Sequence, residues 1–222
     1  RQMCIRDSFG TAELPEIAID EAAFEALATE STNKGYAVPG VQKKLSLHLF
    51  SEGDTPRLAL VNCPTGYILK PQVPEFEALP QAEQLVMCMA DAAGISTVPH
   101  ALIMGKDSLA YITKRVDRIF TKNKMQMLAM EDFCQLDLRL TQDKYKGSYE
   151  RCAKIIERYS SRKGLDITEL YLRLVFSFLV GNSDMHLKNF SLIETEEGSR
   201  KYVLSPAYDQ LPVNVIMPED KE

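Results

Sequence analysis

Tryptophan is absent from the 222 residues, and cysteine, glycine and proline number only 5, 11 and 11. So little Gly and Pro excludes a collagen-like repeat or a flexible low-complexity chain. The cysteines (Cys4, Cys63, Cys88, Cys134 and Cys152) are odd in number, scattered and never spaced as CxxC, which argues against a disulfide framework or a zinc cluster. A reducing, cytoplasmic setting is the expectation. Long apolar runs are missing too. The longest, Leu170 to Val180, is broken by Arg173 and Ser177 and falls short of the ~20 residues of a membrane span. No charged segment followed by an apolar run opens the sequence, so no signal-peptide pattern is seen. His48 and His100 have no partner at ligand spacing, which leaves no histidine metal site.

An excess of positive charge is lacking as well. The net charge of −5 argues against a general nucleic-acid binder. It is unevenly spread: residues 104–163 hold 14 Lys/Arg against 8 Asp/Glu, and the remainder 12 against 23. A basic centre in an acidic protein fits phosphate handling, an acidic partner or simply a solvated lysine-rich face. What is present, 45% hydrophobic and 26% charged residues, is the composition of a folded domain or two small lobes.

The opening RQMCIRDS reads as a non-native leader over residues 1–8, and both ends read as those of a fragment. A short helix is expected over 19–28. Leu45, Leu47 and Leu49 alternate with Ser46 and His48 as in a half-buried strand, and strands are expected at 57–61 and 67–70, the last closed by Pro71. Pro80 opens a helix in which Ala82, Leu85, Val86, Met89, Ala90 and Ala93 form an apolar stripe, and Gly94 stops it. Strands follow at 101–104 and 109–114. Helices are expected at 149–159 and 170–180, the second with Leu170, Leu174, Val175, Phe178 and Leu179 on one face, then strands at 190–193 and 201–204. The fold class expected is α+β in two lobes, a β-rich lobe with one helix over 9–115 and a mainly helical, incomplete lobe over 116–222.

The densest polar cluster is Gly181 to Asn189, GNSDMHLKN, between the most apolar helix and a strand. Asp184 and Asn189 stand five apart with Lys188 between them, and Asp209 follows 25 residues after Asp184. Phosphoryl transfer needs such a kit. One carboxylate takes the hydroxyl proton, an amide and a second carboxylate hold Mg²⁺, and a lysine offsets charge at the transferred group. Upstream, Lys70 ends a strand and Glu83 lies in the first turns of the next helix, where kinases place the nucleotide-orienting pair. Val38 to Lys44 has a single glycine, so it is no GxGxxG loop, and neither HRD nor DFG is present.

Together, GVQKKLSL (40–47), ILKP (68–71), AEQLVMCMADAAGI (82–95), KRVDR (114–118), MEDFCQ (130–135), KY (144–145), VGNSDMHLKNFSL (180–192) and SPAYDQLPV (205–213) resemble the HipA family of serine/threonine protein kinases, toxins of bacterial toxin–antitoxin systems. The resemblance runs from about residue 9 to 217. It implies a protein-kinase-like fold whose C-terminal part is truncated here. It also implies Asp184 as catalytic base, Lys188 on the transferred phosphate, and Asn189 and Asp209 as Mg²⁺ ligands. Lys70 and Glu83 would orient ATP, Gly40, Val41 and Gln42 cover its phosphates, and Arg115, Val116 and Asp117 form the hinge beside adenine. His186 joins the cofactor-binding set, beside the reading that it merely holds the loop. The implied partners are a protein substrate such as an aminoacyl-tRNA synthetase and a helix-turn-helix antitoxin, with nucleic acid reached only through the latter. A separate small HipS-like protein is a further implied partner, and no membrane is involved. The competing function is a non-catalytic kinase-fold module that binds nucleotide or antitoxin without turnover. Residues 33–45 contain no Ser or Thr, so restraint of activity is expected from a partner and not from a phosphorylated loop serine.

Overall fold

A computed structural model describes residues 44–50, 57–59, 65–104, 108–121 and 125–217. The leader, the 19–28 helix and Gly40, Val41 and Gln42 lie outside the described residues. The fold is α+β, with two compact units.

Among the described residues the first unit holds 44–85 and 98–115. Its antiparallel sheet joins β1 (Leu45–Phe50), β2 (Arg57–Ala59), β3 (Tyr67–Pro71), β4 (His100–Met104) and β5 (Leu109–Lys114) in the order β2-β1-β3-β5-β4. The leucine alternation of β1 has its expected result: Leu45 and Leu47 are fully buried, with Leu45 opposite Leu69 in the register. Lys70 sits opposite Tyr111. Helix α1 (Leu79–Ala92) begins in this unit, and from Val86 onward it belongs to the second. Gly94, at φ 81, ends it in the left-handed conformation.

The buried face of α1 differs from the expected stripe. Glu83, Val86, Met87 and Ala90 are inside, while Leu85 and Met89 are 61% and 45% exposed. The buried set keeps helical spacing but contains a charged residue, which a hydrophobicity pattern scores as outward.

The second unit adds residues 116–217 of the described chain to 86–97. A small hairpin pairs β6 (Arg118–Phe120) with β7 (Met125–Met127). A three-stranded sheet has the order β10-β9-β8, from β8 (Met130–Asp132), β9 (Ser191–Glu194) and β10 (Tyr202–Leu204). The helices are α2 (Phe133–Leu136), α3 (Tyr149–Tyr159), α4 (Lys163–Val180) and α5 (Val213–Ile216). Ser148 caps α3 by accepting from the Arg151 N–H. One core gathers Phe133, Ile156, Leu170, Leu187, Phe190 and Leu204, with the Phe133 and Phe190 rings 5.8 Å apart. A second packs Val86, Ala90, Ile95, Phe176 and Ala207.

Helix α4 starts seven residues before the expected Leu170, and its face too is rotated. Asp166, Leu170, Arg173 and Ser177 are buried, whereas Tyr171, Phe178 and Leu179 are exposed. Each buried polar group has a task. Asp166 accepts from the Leu204 N–H (2.7 Å), the Ser160 hydroxyl (2.6 Å) and Arg162 Nε (2.8 Å). Arg173 donates to Glu169 and to the Ser205 carbonyl (2.9 Å). The helix thereby fastens the β9–β10 hairpin and the turn after it.

Candidate active site

Each unit gathers a group of polar residues of its own. In the first unit the Lys70 ammonium donates to Glu83 Oε1 at 2.5 Å, with the two side chains 2% and 1% exposed. The ammonium also lies 5.4 Å from the centre of the Tyr111 ring, the residue opposite it in β5. A lysine and a glutamate are seldom buried unless paired.

In the second unit, Gly181 at φ 68 ends α4 and starts the polar loop. Gln210 holds this loop to the segment after β10. Its Oε1 accepts from Ser177 Oγ (3.4 Å) and Asn182 Nδ2 (3.5 Å), and its Nε2 donates to the Tyr208 carbonyl (3.3 Å) and Met185 Sδ (3.7 Å). The Gly181 carbonyl also accepts from the Asn214 N–H at 3.0 Å. Asp184 and Asp209 are thus carried by two segments tied to each other.

Asp184 has a side chain 48% exposed, open to an incoming group. Its Oδ1 accepts from the Tyr145 hydroxyl at 2.5 Å and lies 3.9 Å from His186 Nε2. The Tyr145 ring meets the His186 ring edge-on, 5.1 Å between centres. Burial lowers the His186 pKa from its ordinary value and Lys144 adds to this, against the opposing pull of Asp184 and Asp209. The imidazole is therefore neutral at pH 7. Asn189 is buried; its Oδ1 accepts from the His186 N–H at 3.3 Å, and its own N–H donates to the His186 carbonyl at 2.9 Å.

Asp209 takes a left-handed backbone, φ 55, uncommon outside glycine but best tolerated by Asp and Asn. Asn189 and Asp209 offer an amide oxygen and a carboxylate, the hard donors Mg²⁺ prefers. Among the described residues no three His, Cys, Asp or Glu gather into a metal-holding group. A donor pair of this kind fits Mg²⁺, which is usually bound through one or two carboxylates and keeps several waters.

Lys188 does not project freely. Its ammonium donates to Asp132 Oδ2 at 2.5 Å. Of the residues expected to form a hinge, the Arg115 N–H donates to the Gly66 carbonyl at 2.8 Å, and Asp117 accepts from Arg118 Nη1 and, through its carbonyl, from the Leu128 N–H. Val116 lies in the turn between them.

Asp132, Tyr145 and Gln210 were given no role by the sequence reading. Asp132 had a local signal, since D-x-x-Q is a capping-box pattern, and the box forms over Asp132 to Gln135. Tyr145 and Gln210 lie in the KY and SPAYDQLPV segments that carry the resemblance, but nothing local assigned them a role, because their partners lie 39 and up to 33 residues away. Cys152 is no nucleophile: burial pushes its thiol up to about 12. No described helix is long and apolar enough to cross a membrane.

Comparison with known proteins sets this geometry in a family. Curated relatives named "Putative kinase" include Y4mE of Sinorhizobium fredii, 28% identical over 79% of this chain and 42% of its own length. Another, from Haemophilus influenzae, is 26% identical over 90% of this chain and 59% of its own length. The chain thus spans about half the length of these relatives. Among solved structures, HipA of Shewanella oneidensis, determined with HipB and operator DNA, matches with a TM-score of 0.70 at 19% identity, over 94% of this chain and 55% of that one. The model of the HipA-like C-terminal domain matches residues 36–221, and the chain belongs to that family.

Proposed function

We propose that the chain is the core of an ATP-dependent serine/threonine protein kinase of the HipA toxin type. The observation that carries this reading is the half-exposed Asp184 carboxylate on a loop tied through Gln210 to the segment bearing Asp209, with Asn189 hydrogen-bonded to the His186 backbone of the same loop. Asp184 accepts the proton of the attacking hydroxyl, which first displaces the Tyr145 hydroxyl from Oδ1. The neutral His186 leaves that carboxylate unneutralised. Asn189 and Asp209 would hold Mg²⁺, which when bound offsets charge on the nucleotide phosphates. Lys188 offsets charge on the transferred group, and Lys70, oriented by Glu83, grips the other phosphates. Gly40, Val41 and Gln42 cover them, and residues 115–117 border the adenine.

The Shewanella relative is a toxin bound to its antitoxin and operator DNA. The same kind of partner, a DNA-binding antitoxin, is proposed here, with growth inhibition through a translation-related protein target in the cytoplasm. The test is calorimetry and radiolabel transfer on two variants. Asp184→Asn is expected to lower transfer by about 10²–10⁴-fold and leave ATP·Mg²⁺ affinity nearly intact. Asp209→Asn is expected to lose the Mg²⁺-dependent part of that affinity as well. Equal loss of affinity in both overturns the roles, and nucleotide binding with no transfer by the unsubstituted protein identifies a binding module.

A further inference from the structure

Lys188 is four methylenes long and stands in a 3-10 turn, Leu187–Asn189, where nothing in its own sequence neighbourhood fixes its head. A free lysine of this kind loses rotamer entropy each time it is ordered. Here both of its ends are already held. The Lys188 carbonyl accepts from the Tyr208 hydroxyl at 3.1 Å, and Tyr208 in turn bonds the Ser191 hydroxyl. The ammonium rests on Asp132 Oδ2, with the two side chains 23% and 14% exposed.

Asp132 is a rigid anchor, not a passing surface partner. Its other oxygen, Oδ1, accepts from the Gln135 N–H at 2.8 Å, and its own N–H donates to Gln135 Oε1 at 3.1 Å. It is the last residue of β8, opposite Ser191 in the register, and the next N–H, of Phe133, donates to the Phe190 carbonyl at 2.9 Å. The carboxylate is therefore locked at χ1 by its cap and at the backbone by the very strand that follows the Lys188 turn. A helix of four residues gains little from such a cap, yet each oxygen has a separate use.

We infer that Asp132 is the positioning residue for Lys188, its Oδ2 holding the ammonium over the turn so that the lysine meets the transferred phosphoryl group already ordered. The assignment rests on the kinase reading above. Asp132 does not touch substrate; it acts through the lysine. The competing explanation is that Asp132 merely caps α2. The two separate cleanly, because Asn and Ser cap as well as Asp does but carry no charge.

The experiment uses the longest reading frame that contains this chain, with ATP·Mg²⁺ and myelin basic protein as the acceptor. Asp132→Asn and Asp132→Ser are expected to melt within a few degrees of the parent. They should keep KM for ATP within about twofold and lose about tenfold in kcat, the mark of an interaction realised in the transition state. In a Lys188→Met background, Asp132→Asn should cause no further loss, since its whole effect passes through the lysine. Parental kcat in both cap-preserving variants, or an equal further loss without Lys188, overturns the assignment. Absence of label transfer by the parent protein overturns the kinase reading itself, and the assignment falls with it.

Discussion

Replacing Glu83 with Gln keeps the shape of the side chain and removes its charge. The Lys70 ammonium, 2% exposed, then loses the Glu83 carboxylate against it. Removing one partner of a buried pair costs about 3–5 kcal/mol, most of it the desolvation of the stranded ion. For a protein of this size each 1 kcal/mol moves the melting point by about 2–4 °C, so a fall of about 10 °C is expected by circular dichroism. The companion variant Lys70→Met/Glu83→Leu removes both charges and refills the space with apolar atoms. It should recover to within about 2 kcal/mol of the parent, because a buried pair is close to break-even against packed hydrocarbon. Nucleotide-dependent stabilisation should not return with it, since the lysine proposed to grip the phosphates is gone. The reasoning is refuted if Glu83→Gln melts with the parent. It is equally refuted if the double variant is no more stable than the single one, for the loss would then come from packing and not from a stranded charge.

Protonation of His186 should be visible in the stability of the nucleotide-free, Mg²⁺-free protein. Its pKa is lowered on folding, so the unfolded chain binds the proton more readily. Its contribution is fully present above about pH 6.5 and is lost as the pH falls from there through the lowered folded value. Urea titrations at pH 7 and pH 5 should therefore show a smaller drop for His186→Gln than for the parent, and equal drops would refute this. Asp166→Ala should cost about 3 kcal/mol in the same assay, because a fully buried acceptor of three hydrogen bonds disappears and the Leu204 N–H and Ser160 hydroxyl lose their partner. A loss under 1 kcal/mol would mean the hairpin is held by other means.

The first sheet was readable because its strands obey a simple rule: Leu45 and Leu47 alternate with more polar neighbours and are buried. The helices at 79–92 and 163–180 were readable as helices but not as faces. A pattern method assigns Glu83, Asp166 and Arg173 to solvent, whereas ion pairs and hydrogen bonds from distant residues make their burial tolerable. Phe178 and Leu179 were assigned inward by the same logic and are exposed. The residues of the polar loop were legible as a set, since they crowd into nine positions. What holds them was not: Asp132 meets Lys188 across 56 residues, and Tyr145 meets Asp184 across 39. Such pairs are products of topology, which places β8 beside β9.

The left-handed backbone at Asp209 restricts how the chemistry proposed for it could be lost by drift. Glycine, asparagine and aspartate share that conformation at little cost, whereas most other residues pay about 1–2 kcal/mol to enter it. Of the three, aspartate alone brings a charge. A descendant that abandons the proposed phosphate transfer while keeping its fold is therefore expected to carry Asn or Gly at position 209. An alanine there would mix a chemical loss with a conformational one, and would record less about catalysis than asparagine does.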